Sequence, residues 1–257
     1  MSTLEAQGDE FERLVAVVTG GSSGLGAAIS QELASRGADV WTLDVQTPAE
    51  PSARVVHCDV SDTESVQSAI DRVVASAGRL DIAVANAGIS AQGKIGNNSD
   101  EEWLRVFEVN VFGSVRVARS AMPHLERSPH GALVLTSSIA AATGLPDRVL
   151  YSASKGALNA LTLALAADSL ETGVRVNAVA PGTADTPWVG RLLDSATDPE
   201  AERRALANRQ PTGRLVSPEE VAGAVAYLAS PRSGSTTGVV LAVDGGMQTL
   251  RPRLRAT

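Results

Sequence analysis

Short apolar runs rich in valine alternate along the chain with longer stretches whose apolar residues recur every three to four positions. LVAVVTG (14–20), ADVWTLD (38–44), ARVVHCDV (53–60), LDIAVANAG (80–88), GALVLTSS (131–138), VRVNAVAPG (174–182) and GVVLAVDGG (238–246) read as strands. Runs this continuously apolar suit strands buried on both faces. Between them, 24–38 has helical spacing with Gly37 as its C-cap. The stretch 61–78 opens on Ser61 and Glu64, a capping-box pattern, and closes on Gly78. Further helices are predicted over roughly 100–122, from Tyr151 to about Leu170, and over the well-capped 217–230.

Alternation of this kind means βαβ units. The expected fold is α/β, a Rossmann fold with a doubly wound parallel sheet of about seven strands and helices on both faces. No Pro/Ser-rich linker divides the chain, so 1–257 reads as one domain. The least regular part, 183–212, is polar and bounded by prolines, which predicts an irregular substrate loop or lid. The basic tail RPRLRAT (251–257) reads as solvated.

Composition narrows the field of partners. A hydrophobic share of 44% with 20% charged residues excludes a disordered chain, and a net charge of −7 argues against a nucleic-acid binder. A single cysteine, Cys58, leaves no internal disulfide and fits a reducing compartment. MSTLEAQGDEFERL lacks the apolar core of a signal peptide, and no apolar run approaches the roughly 18 residues of a membrane span. The expectation is a cytoplasmic protein acting on a small molecule, with no membrane or nucleic-acid partner. His57, His124 and His130 are scattered and predict no metal site.

The strongest local signal follows the first strand. TGGSSGLG (19–26) places Gly20, Gly24 and Gly26 where a buried strand passes into a helix, with Ser22 and Ser23 between them. Small residues there let the backbone approach a pyrophosphate at the N–H groups that open the helix. Asp44 closes the second strand 18 residues after Gly26, near the spacing of a ribose-binding acid. Its carboxylate would repel a 2′-phosphate, and Ser22, Ser23, Val45 and Gln46 supply no cation, so NAD is favoured over NADP. Asp59 ends the third strand, where it serves either an adenine or the cap of the next helix. Asn86, Ala87 and Gly88 end the fourth and bring backbone close to a cofactor ribose.

A second constellation lies in YSASK. Tyr151 and Lys155 are four residues apart and share a helix face. A free tyrosine ionises near pH 10. A neighbouring ammonium and a positive nicotinamide would lower that value and make the phenol an acid/base at neutral pH. Ser138, ending the fifth strand, can hydrogen-bond the reacting oxygen.

TGGSSGLG, CDV, NAG, VN (109–110), SS (137–138), YSASK, PGTADT and VDGG (243–246) together resemble the short-chain dehydrogenase/reductase family, in order and over essentially the whole chain. The resemblance implies Asn110, Ser138, Tyr151 and Lys155 as catalytic residues, with Asn110 holding a water that relays protons to the lysine. It adds Leu25, Val60, Pro181, Gly182, Thr183 and Thr186 to the cofactor contacts, with Tyr151 and Lys155 also touching the cofactor. It further implies a homotetramer or homodimer. One departure is Ala85, where many members carry an asparagine; a small effect on stability is expected from it.

The substrate is read from arginines. Arg148 stands three residues before Tyr151, and the variable segment adds Arg191, Arg209 and Trp188. Guanidinium forks suit carboxylates, so their convergence would select an anionic substrate. GTADTPWVGRLL and RQPTGR are similar to the branch acting on 3-hydroxybutyrate and keto-deoxy-sugar acids. Arg148 and Arg209 fall on carboxylate-binding positions of the hydroxybutyrate type, while Arg191 is displaced by one residue. The expected enzyme is an NAD-dependent oxidoreductase interconverting a secondary alcohol and a ketone. A 3-oxoacyl-thioester reductase, and a catalytically silent NAD-binding sensor or scaffold, are the alternatives.

Overall fold

In the computed structural model, which describes residues 10–46, 54–194 and 196–251, the valine-rich runs form the expected parallel sheet. Its strands are β1 (Val15–Thr19), β2 (Asp39–Asp44), β3 (Val55–His57), β4 (Ile82–Ala85), β5 (Ala132–Thr136), β6 (Arg175–Pro181) and β7 (Val240–Val243). They lie in the order β3-β2-β1-β4-β5-β6-β7, and every neighbouring pair is parallel. The direction of winding therefore reverses between β1 and β4, which opens a crevice at their carboxyl ends. Residue 53 of the third expected strand and residues 252–257 of the tail lie outside the described residues.

The continuous apolar character of the strands has a direct cause. Along β1, Val15 and Val17 pack into one core while Ala16 and Val18 pack into the other. Along β5, Leu133 and Leu135 face the first core and Val134 the second. The first core is closed by α2 (Thr63–Ala77), α4 (Gly113–Leu125) and α5 (Val149–Asp168). The second is closed by α1 (Gly24–Ser35) and α8 (Pro218–Ala229). A strand with helices on both sides has no face for polar residues.

Several local expectations are corrected. The N-cap of α2 is Asp62, whose carboxylate accepts from the Glu64 and Ser65 amides; Ser61 instead bonds to Asp59. Gly37 adopts a positive φ of 97° just beyond α1, one place later than the cap position held by Arg36. The long helix over 100–122 is three pieces: α3 (Asp100–Phe107), a π-helical turn (Glu108–Phe112) and α4. The helix expected from Tyr151 begins two residues earlier, at Val149. Two helices, α6 (Pro187–Asp194) and α7 (Pro199–Asn208), occupy the stretch 183–212 that reads as irregular. Val189, Leu193, Leu206 and Leu215 give this pair a small core of its own. The expected cap of α8 is present, with Ser217 and Glu220 completing a capping box.

Arg175 ties the sheet to α8. It is 8% exposed and donates to the carbonyls of Leu228 (2.6 Å), Ala229 (3.0 Å) and Ser230 (3.0 Å). These carbonyls end a helix, where no amide in the helix can satisfy them. Burial pushes the guanidinium pKa down, but an arginine still carries its charge at any ordinary pH. Arg175→Met is expected to destabilise the fold by about 2–4 kcal/mol, because buried carbonyls lose charged donors. Urea denaturation measures this, and a loss below about 1 kcal/mol would contradict it.

Candidate active site

A cleft of about 730 Å³ runs across the carboxyl ends of the strands. Its size is that of a site for a cofactor or substrate-sized molecule. The loop after β1 forms one end. Gly20 and Gly24 have φ values of 63° and 53°, and a Cβ on Gly26 would collide with the Gly20 carbonyl. Glycine is therefore required where the loop folds back on the first turn of α1. Asp44 is buried, and its two carboxylate oxygens accept from the Ser22 amide (3.0 Å) and the Gln46 amide (2.9 Å). These bonds fix the carboxylate at the rim of the loop. Among the described residues no lysine or arginine lines this end of the cleft.

Asn86 joins three strands at the crevice. Its amide donates to Thr19 Oγ1 (3.0 Å), its side-chain Nδ2 to the Thr19 carbonyl (3.0 Å), and its Oδ1 accepts from Thr136 Oγ1 (3.2 Å). Ala85, before it, is buried among apolar side chains, so a larger polar residue is not called for there. Asp59 lines the cleft and accepts from the Ser61 amide (2.9 Å) and hydroxyl (2.6 Å), which hold its carboxyl below the usual range. It does not cap α2.

Further along, Ser138, Tyr151 and Lys155 line the same cleft. Lys155 is 4% exposed; its Nζ donates to the Thr136 carbonyl (2.8 Å) and sits 5.8 Å from the centre of the Tyr151 ring. Burial drives its pKa down to about 8. Burial also pushes the Tyr151 phenol up, against a hydrogen bond from Ser138 and the charge of Arg148, which both pull it down. This differs from the expectation that Lys155 lowers the phenol. The ammonium donates to the Thr136 carbonyl, and the cation that favours the phenolate is Arg148.

Asn110 and Ser22 do not line the cleft. Asn110 is fully buried on the π-helical turn. Its Oδ1 accepts from the Ile89 amide (2.8 Å), and its Nδ2 donates to the Ile89 carbonyl (2.9 Å) and Ser154 Oγ (3.0 Å). The side chain is thus spent on fixing the loop after β4 to α5. The Asn110 carbonyl accepts from Ser114 Oγ (2.8 Å). Ser22 spends its amide on Asp44 and its hydroxyl on the Gln46 carbonyl (3.2 Å).

The remaining expected cofactor residues, Ser23, Leu25, Val60, Ala87, Gly88, Pro181, Gly182, Thr183 and Thr186, all line the cleft. So do Arg148, Trp188, Arg191 and Arg209. Arg148 stands at the N-terminus of α5, where Asp147 (φ 56°) turns the chain and its carbonyl accepts from the Gly93 amide (2.9 Å). Arg148 is half-buried, and both burial and the facing Arg209 guanidinium lower its pKa. Among the described residues no carboxylate lies within ion-pair distance of Arg148, Arg191 or Arg209, whereas Arg203 and Arg214 in the same segment pair with Asp185 and Glu220. Leu145, Ala140, Leu192 and Leu206 also line this end, next to Trp188. Sequence reasoning missed them, because single leucines in loops and short helices carry no signature.

The family model described as enoyl-(acyl carrier protein) reductase matches residues 20–248. The chain is 42% identical, over 93% of its length and 98% of the relative's, to the cis-4-hydroxycyclohexanecarboxylate dehydrogenase of Sinomonas cyclohexanicum. It is 37% identical, over 92% of its length and 98% of the relative's, to the 4-formylbenzenesulfonate dehydrogenase TsaC1/TsaC2 of Comamonas testosteroni. Among solved structures, the ligand-free aldohexose dehydrogenase of Thermoplasma acidophilum superposes with a TM-score of 0.91 at 33% identity, covering 97% of this chain and 99% of that one.

The buried lysine makes a pH-dependent prediction. Its folded pKa, about 8, lies below its value of 10.5 in the unfolded chain, so the unfolded state binds its proton more tightly. Lys155 therefore contributes full stability above the unfolded value and loses it as pH falls towards 8. Relative to Lys155→Met, the wild type is expected to gain on the order of 2 kcal/mol between about pH 7.5 and pH 10. Comparing the two proteins cancels the ionisation of Cys58, whose pKa burial raises to about 12. Parallel urea curves at the two pH values would show otherwise.

Proposed function

The chain belongs to the short-chain dehydrogenase/reductase family and is an oxidoreductase acting on CH–OH groups, and on that premise we propose that it oxidises the secondary hydroxyl of a small anionic substrate with NAD. The observation that carries the substrate class is the pair Arg148 and Arg209, which line the cleft with Tyr151 and, among the described residues, stand in no ion pair. Their guanidiniums repel each other, Asp147 and Glu202 offset part of the charge of Arg148, and an anion bridging the pair removes the remaining cost. Arg191 adds a third cation, and Trp188, Leu145 and Leu206 offer an apolar wall for a ring or short chain. The relatives named for a carboxylate and a sulfonate accord with this reading. A long acyl thioester fits a cationic end poorly, which disfavours the acyl-carrier-protein reductase alternative.

The proposed division of labour follows the geometry. Gly20, Ser23, Gly24, Leu25 and Gly26 hold the pyrophosphate, and Asp44 takes the ribose hydroxyls. Asp59, Val60, Asn86, Ala87, Gly88, Pro181, Gly182, Thr183 and Thr186 complete the nucleotide cradle, and Ser22 positions Asp44. The bound nicotinamide supplies the hydride acceptor. Tyr151 takes the proton of the substrate hydroxyl, and Ser138 donates a hydrogen bond to that oxygen. Arg148 favours the phenolate by its charge. Lys155 would hold the ribose, and Asn110 holds the loop and helix that frame the catalyst. The helices over 183–212 act as the substrate lid.

We also infer a cytoplasmic protein folded as one domain and working as a homotetramer or homodimer. Leu163 on α5 and Leu170 in the turn that follows it are 55% and 70% exposed, an apolar area suited to a second copy.

Two outcomes test the proposal. Arg148→Ala is expected to raise KM for cis-4-hydroxycyclohexanecarboxylate about tenfold or more, as loss of a charge-assisted bond does, to lower kcat for the acid and for cyclohexanol alike because the phenolate loses its cation, and to leave the KM for cyclohexanol and the NADH affinity near wild type. Equal KM changes for the acid and the neutral alcohol in an NADH-absorbance assay would refute anion recognition. For the cofactor, kcat/KM with NAD is expected to exceed that with NADP by about 100-fold, and Asp44→Ser to narrow the gap at least tenfold, because a desolvated carboxylate repels the 2′-phosphate. An unchanged ratio in the variant would remove Asp44 from the explanation.

A further inference from the structure

Gln210 does not line the cleft, yet it sits where three parts of the cleft's frame meet. It lies two residues beyond α7 and is 1% exposed. Its Nε2 donates to the Arg214 carbonyl (2.5 Å) and the Thr183 carbonyl (3.4 Å). Thr183 belongs to the chain entering the 183–212 segment and Arg214 to the chain leaving it, so one amide joins both roots. Around it the Asp185 amide bonds to the Val216 carbonyl (2.9 Å) and the Val216 amide to the Thr183 carbonyl (3.0 Å).

Among the described residues its buried Oε1 has no hydrogen-bond partner. The oxygen lies against Gly182, and a Cβ on that residue would overlap it. Gly182 is in turn held to the end of β7 by its amide, which donates to the Val243 carbonyl (2.9 Å). A buried amide oxygen left unpaired costs stability, so packing alone would favour an apolar side chain of the same shape at this position. Gly182 and Thr183 form cleft wall on one side of the amide, and Arg209 is the adjacent residue on the other.

We infer that Gln210 is a positioning residue for turnover, setting the Gly182–Thr183 wall against the cofactor and seating Arg209 at the root of the lid. The inference rests on the nicotinamide-dependent reading above. It does not depend on the substrate class, because the wall it sets faces the cofactor.

The test uses Gln210→Met, which keeps the length of the side chain and removes its polar atoms. Its Tm is expected to stay within about 3 °C of wild type, since the orphaned oxygen goes together with the donated bonds. The NADH dissociation constant, read by fluorescence titration without substrate, is expected to weaken about tenfold, the effect of a lost wall-fixing hydrogen bond. Gly182→Ala pushes on the same contact from the opposite side and is expected to weaken NADH binding as well. NADH affinity and kcat/KM within twofold of wild type in Gln210→Met would overturn the inference. So would a large fall in Tm that activity merely follows. A mistaken substrate class leaves the NADH titrations as described and shows instead as unaltered acid selectivity in Arg148→Ala.

Discussion

Thr19, Asn86 and Thr136 stitch together the carboxyl ends of β1, β4 and β5, and the cleft depends on that stitch. The strand order reverses at this point, so no crossover helix covers the ends of β1 and β4. Exposed strand ends of this kind leave main-chain groups and short polar side chains to be satisfied. Asn86 satisfies several of them at once and leaves the neighbouring glycines free to approach a ligand. The nucleotide loop leans on the same place: the side chain of Asn86 also crowds the positions where a Cβ on Gly20 or Gly26 would go.

The chemistry downstream is a contest between burial and charge. Burial lifts Tyr151 and depresses Lys155, so both groups resist carrying charge. Ser138 and Arg148 oppose this at the tyrosine. Arg148 consequently belongs to two functions at once, near the phenol through its charge and near Arg209 through its place at the mouth. An anion settled on that pair would weaken the help Arg148 gives the phenolate, which links what the cleft binds to how readily Tyr151 gives up its proton.

Much of the frame was legible along the chain because its signals are local. Strands covered on both faces are apolar at most positions, so the runs stand out. A glycine loop between strand and helix is dictated by backbone geometry, and the spacing to Asp44 follows from one βαβ unit. Other features were illegible for equally physical reasons. Asp62, Ser61 and Asp59 are all competent caps, and the choice among them rests on how β3 delivers the chain. The π-helical turn at 108–112 has no compositional mark; it exists because Asn110 bonds to Ile89 and Ser154 from other elements. The polar look of 183–212 hides two helices whose apolar residues pack mainly on each other.

By itself, then, the sequence determined the sheet and its wrapping helices and the glycine loop with its nearby acid, since periodicity and short-range spacing encode them, while Ser138, Tyr151 and Lys155 stand out by their resemblance to the family's motifs. Tertiary structure alone decided which charges meet. Arg148 and Arg209 are 61 positions apart and become neighbours only when α7 folds back over the crevice. Gln210 likewise has meaning only against Gly182, Thr183 and Arg214. The reason is common to both. The strength of a Coulomb or hydrogen-bonding interaction is set by distance and burial, and for residues far apart in the chain both come from packing.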